Sequence, residues 1–265
     1  MPSEQTETEH EVLTRYLGPP DVVDHGGTQL VRESSLHAAL RDCRPLQGRD
    51  VATGMLAAGD GAPSWIGAIG YLCVVDQLSS AVRHASPTSR SRTEADAPDN
   101  YRVLYDFTDL DSGSIEALYG LRCSLAHDYS LANRKPGIPA RQHVFHLTGD
   151  PGEVANLPTS EDLRWTGEWA ESDTAFEPTE VSLRAVGDLV EEVVGTVRAE
   201  HRAGNVQIAL PGGRAEMNRR YFFLHNDFSV LGTSLSTETP PASGSPMVGV
   251  ADLARSNRAM RRHPA

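Results

Sequence analysis

D-S-G-S-I-E-A-L-Y-G-L-R-C-S-L-A-H-D-Y-S-L-A-N, residues 111–133, is the most regular stretch of this chain. Its apolar residues Ile115, Leu118, Leu121, Leu125 and Ala126 recur at the spacing of a helix face. Asp111, Ser112 or Ser114 can cap the start by accepting a hydrogen bond from a free backbone N–H. Pro136 and Gly137 close the segment. Inside this apolar helix stand Arg122, His127 and Tyr129, three polar groups whose presence needs a reason.

Helical patterns surround it. Residues 100–110 carry Tyr101, Val103, Leu104 and Phe107, and Trp65 to Arg83 is apolar almost all round, as a buried helix is. Gln29 to Arg41 reads as a modest amphipathic helix ended by Pro45, and residues 50–62 as a short helix and a turn. Downstream, Pro178–Thr179 predicts a helix start, followed by a stripe of Leu183, Val186, Leu189, Val190, Val193, Val194 and Val197 and a C-cap at Gly204. Two segments read as strands of a small ribbon, Gln142 to Thr148 and Leu163 to Trp169. Asn205 to Leu210 reads as a further short strand. The fold class expected is mainly α: an antiparallel helical bundle with a small β ribbon and disordered termini. Its organisation is a flexible acidic segment at 1–27, in which Val12, Leu13, Tyr16 and Leu17 have the spacing of one short helical turn, a helical domain at 28–232 with a β insertion near 141–170, and a disordered tail at 233–265. Residues 85–99 have the composition of an exposed loop.

Charge and cysteine usage bound the function. A formal charge of −12 argues against a general nucleic-acid coat protein, which gains affinity by neutralising phosphates with many cations, and leaves a local basic groove open. Cys43, Cys73 and Cys123 are an odd, scattered set that suits a reducing compartment better than a disulfide framework. The acidic start lacks the order of a signal peptide, and the longest apolar run, Trp65 to Val75, is too short to span a bilayer. A cytoplasmic protein without membrane contact is the expectation.

Arg122 and His127 form an Arg-x-x-x-x-His pair, but Arg32–His37, Arg141–His146, Arg220–His225 and Arg258–His263 have the same spacing. The pair alone therefore says little in this Arg-rich chain. Tyr129 changes that, because the other four matches carry Ala39, Thr148, Asp227 and Ala265 two places on. A random chain of this composition would show Arg-x-x-x-x-His-x-Tyr about 0.02 times.

The segment L-R-C-S-L-A-H-D-Y resembles the signature of the HEPN superfamily, especially its HepT-like toxins. The resemblance implies a small helical bundle that dimerises, the motifs of two protomers meeting in one cleft. It also implies a metal-independent endoribonuclease of a toxin–antitoxin or phage-defence system, without cofactor or metal. In that role Arg122 would brace a phosphate with paired N–H bonds, and His127 would move the proton of a ribose 2′-OH or of the leaving 5′-oxygen. Tyr129 is similar to the tyrosine that an antitoxin nucleotidyltransferase modifies. Cys123 follows the arginine where active ribonucleases commonly carry Asn, Asp or His. The matching alternatives are a HEPN-like binding or scaffold module without catalysis, and an unrelated helical interaction domain in which the three residues are structural. In the last case Arg122 would pair with Asp76 or Asp106, and His127 with a carbonyl near the helix end. On an ideal helix, residues five apart point about 140° from each other, so Arg122 and His127 do not share a face.

Weaker candidates have plainer readings. His143 and His146 lie three apart on a strand, hence on opposite sides. Pro211–Arg214 reads as a turn, Ser124 lacks an orienting third group, and Trp165 with Trp169 reads as packing in acidic surroundings.

Overall fold

The computed structural model describes residues 7–57, 62–86, 101–135, 141–169 and 176–235. The expected 85–99 loop falls largely outside them, and the expected 233–265 tail almost wholly. Residues 1–231 form one compact unit, which carries every element named below, and residues 232–265 a second.

Helix α1 (Glu9–Leu17) opens with a capping box in which Thr8 and Glu11 satisfy each other's free N–H groups. It buries Val12, Leu13, Tyr16 and Leu17, so part of the segment expected to be flexible belongs to the core. Strands β1 (Asp21–His25) and β2 (Thr28–Ser34) form a hairpin around Gly26–Gly27, both with positive φ, as a tight hairpin turn requires. Helix α2 (Ser35–Leu46) follows directly, capped by the Ser34 hydroxyl.

Helix α3 (Trp65–Ala81) is buried on nearly every side and packs against α2, α4 (Arg102–Phe107), α5 (Ser112–Asp128) and α6 (Leu183–Arg202). Its approach to α2 is close: a Cβ added at Gly70 would fall 2.2 Å from the Cys43 sulfur. The core joins these helices to Met217 and Tyr221 of α7 (Gly213–Tyr221).

The expected mainly α bundle is corrected by three sheets among the described residues, of which about 51% are helical and 19% in strands. One is antiparallel with order β1-β2-β9, where β9 is Phe222–His225. A second pairs β3 (Val82–His84) with β8 (Val206–Ile208). The third has order β4-β5-β7-β6, from β4 (Ala132–Asn133), β5 (His143–Thr148), β6 (Ala155–Asn156) and β7 (Thr179–Ser182). An all-α description fails because most of these strands have only two to four residues and pair across long sequence separations. Such strands leave no alternating pattern long enough to outweigh the helical periods.

Two local readings change with it. Leu163 to Trp169 is not a strand; β5 pairs in parallel with β7 instead. The residues after Pro178 extend as β7 before Ser182 caps α6 by accepting from the Ala185 N–H at 3.1 Å.

Candidate functional site

The motif helix α5 starts at Asp111, whose carboxylate accepts from the Ser114 N–H at 2.9 Å and from its hydroxyl. It buries Ile115, Leu118, Leu121 and Leu125. The helix stops at Tyr129, which adopts the left-handed conformation at φ 51° and returns its N–H to the Ser124 carbonyl. Ala132 and Asn133 then pair with β5, fixing the chain that leaves the helix.

This geometry sends the three motif residues to two places. Arg122 turns inward to α3, where its Nε lies 2.5 Å from an Asp76 carboxylate oxygen. That Nε and both Asp76 oxygens are buried, so their contact lies out of water. Asp106, the other partner open from the sequence, is not the one used. Burial raises the pKa of Asp76 while Arg122 pulls it down, and burial prevails. Cys73 and the fully buried Tyr101 bear electrostatically on the same pair. The Arg122 side chain, 24% exposed, lines an open recess of about 430 Å³ with Asp76, Cys73, Gln77, Ser80 and Arg220. Cys123 is half-buried and faces Tyr119, over whose ring the Arg141 guanidinium lies at 5.0 Å.

His127 and Tyr129 sit at the outer end of α5, both exposed. Tyr129 is 71% exposed and meets the edge of Trp65 with ring centroids 5.7 Å apart. Trp65 and Ile66 form the first turn of α3, Ile66 being 55% exposed, and Leu131 beyond the helix end is exposed as well. Reading residues 65–83 as buried all round missed this. The cap Ser64 places Trp65 and Ile66 in the first turn, where a helix emerges from its packing, and that is the only sequence signal.

The weaker candidates resolve as structure. His143 is buried and bonds the Thr179 hydroxyl at 2.8 Å, whereas His146 points outward. The Ser124 hydroxyl donates to the Leu121 carbonyl, and Trp165 packs on Trp169 at 4.8 Å. Pro211–Arg214 leads into α7. Among the described residues no three His, Cys, Asp or Glu side chains are placed to hold a metal ion, and no helix is long and apolar enough to cross a membrane.

Sequence reading also missed two buried ionic clusters. Glu191 accepts both forks of Arg44 at 2.8 and 2.9 Å and the Tyr71 hydroxyl at 2.7 Å. Glu33, 1% exposed, meets His37, Arg41 and His225. Comparison of the chain with protein-family models, curated proteins and solved structures returns no match.

Proposed function

We propose that this chain is an interaction module that pairs with a second copy of itself over the outer end of the motif helix. The observation that carries this is Tyr129. A bulky, β-carbon-bearing side chain is kept at a positive φ that glycine adopts freely, and it is kept exposed against Trp65. With Ile66 and Leu131 it makes an aromatic and aliphatic surface of the kind that anchors interfaces. The HEPN resemblance of the motif supports a second copy as the occupant, because motif helices of that superfamily meet across a dimer. Arg122, held by Asp76, serves the packing of α5 on α3 in this reading. Sedimentation over a range of concentrations tests it: a monomer–dimer equilibrium that Tyr129→Ala and Ile66→Ser both shift toward monomer is expected. A chain that stays monomeric at every concentration overturns it.

One observation favours a second reading, a metal-independent endoribonuclease assembled from two protomers. His127 is solvent-accessible on the face that the dimer would share, and Arg122 opens onto a recess beside Arg220. Two copies would place His127 where it can exchange a proton with a ribose hydroxyl, and the guanidiniums would brace the phosphate charge. The exposure of Tyr129 suits modification by a partner nucleotidyltransferase. Labelled RNA incubated with EDTA decides: cleavage lost in His127→Ala supports it, and intact RNA with a stable dimer leaves the binding module.

A further inference from the structure

On the side of the molecule built by α1, α2 and α6 lies a recess of about 580 Å³ whose lining, among the described residues, contains no carboxylate. In a chain with 36 acidic and 24 basic side chains this is against the grain. Three arginines and three histidines face it instead. Two of the six are already matched. Arg44 is held by both oxygens of Glu191, and His37 by Glu33 at 2.8 Å.

The others are not. Arg198 spends its Nε on the Leu17 carbonyl at 2.7 Å, and no carboxylate among the described residues pairs with its guanidinium. Arg202 is exposed, and its Nε donates to the Arg198 carbonyl at 3.2 Å. His201, 4% exposed, stacks on His10 with centroids 4.4 Å apart, and its Nε2 meets the Thr14 hydroxyl at 2.9 Å. Burial, and then the like charge of Arg44, lower the pKa of Arg198 against the opposing pull of Glu191; burial, and then His10, lower that of His201. The fold thus brings Arg198 and Arg202 to one recess with no carboxylate in ion-pair contact with either among the described residues, Glu191 being engaged by Arg44.

We propose that this recess binds a small phosphorylated ligand, its phosphate braced by Arg198 and Arg202 with Thr14 and the stacked histidines beside it. Guanidinium forks match phosphate oxygens in pairs, and a phosphate monoester carries nearly two charges at neutral pH, which suits two arginines whose bonds go to carbonyls rather than carboxylates. The volume lies within the range of small-molecule sites and exceeds what bare phosphate fills. Leu17, Pro19 and Ala52 on the same lining offer apolar contact to the body of the ligand. The site is separate from the motif helix and independent of the self-association reading.

Calorimetric titration of the full chain with inorganic pyrophosphate and with adenosine monophosphate, alongside sedimentation with anionic phospholipid vesicles, tests the proposal. Saturable binding of at least one small phosphate is expected, weakened about tenfold or more by Arg198→Gln and by Arg202→Gln. Arg202 is exposed, so its variant keeps the test valid should the loss of the Leu17 contact unfold Arg198→Gln. No heat with either phosphate, affinity unaltered in Arg202→Gln, or binding confined to the vesicles overturns it.

Discussion

Asp76 shows how a motif residue earns its place by packing. Burial outweighs Arg122 in setting its pKa, so the pair does not recover the full desolvation of the carboxylate. Such pairs add little stability yet are costly to break from one side. Arg122→Ala should therefore destabilise the fold by about 2 kcal/mol, because it strands a half-dry carboxylate. Asp76→Asn should cost less, because Arg122 lines the open recess and keeps part of its guanidinium in water, and the double variant should regain most of the loss; urea unfolding of the four proteins checks the cycle. A neutral Arg122→Ala would instead assign the guanidinium to function. Glu191 behaves in the opposite way. Burial opposes its charge, but bonds from Arg44 and Tyr71 prevail and hold its pKa below the ordinary 4.5. Glu191→Gln should accordingly lower stability at neutral pH and flatten its loss in acid, as denaturation at several pH values would show.

Elements are tied by a few such residues. Glu33 on β2 receives His37 and Arg41 from α2 and lies 3.3 Å from His225 on β9, so one buried carboxylate joins three elements. Glu33→Gln should speed amide hydrogen exchange across Phe222–His225 while leaving α6 protected. At the end of α5, Tyr129→Gly should stabilise the monomer by about 0.5–1 kcal/mol, relieving the left-handed strain, and at the same time weaken self-association. Thermal unfolding and sedimentation of this one variant separate the two effects. The periods of α3, α5 and α6 were legible because each buries a stripe or a whole circumference over several turns. The β1–β2 hairpin had a signal too, Gly26–Gly27 between two short apolar runs, hidden by the polar and acidic residues around it. The junction of β2 and α2 was not legible: Leu30, Val31, Leu36 and Leu40 read as one helical stripe, and the cap at Ser34 divides them.

For the whole molecule, acid sensitivity follows from the signs of these shifts. Burial lowers His37 and His201 from the ordinary 6.5, so the unfolded chain binds more protons there, and stability falls as pH drops through that value. The depressed carboxylates Glu191 and Asp111 extend the loss below their ordinary values, while Asp76, shifted upward, offsets part of it. The urea midpoint should therefore decrease steadily from about pH 7.5 to 6 to 5. A midpoint that rises toward pH 5 would contradict the buried, neutral state of the histidines.

The sequence by itself determined the long helices and the central position of residues 111–133, since a repeated apolar period commits a segment to one buried face whatever it packs on. It also showed that Tyr129, rather than the Arg–His spacing, distinguishes the motif. Only the tertiary structure decided that Arg122 faces Asp76 while His127 and Tyr129 face outward beside Trp65. It likewise decided that β5 pairs with β7 and that the basic side chains of α1, α2 and α6 converge on one recess. The physical reason is common to all three. Ion pairs, strand pairs and charge clusters join residues far apart in the chain, and no local pattern records which distant partner a side chain will meet.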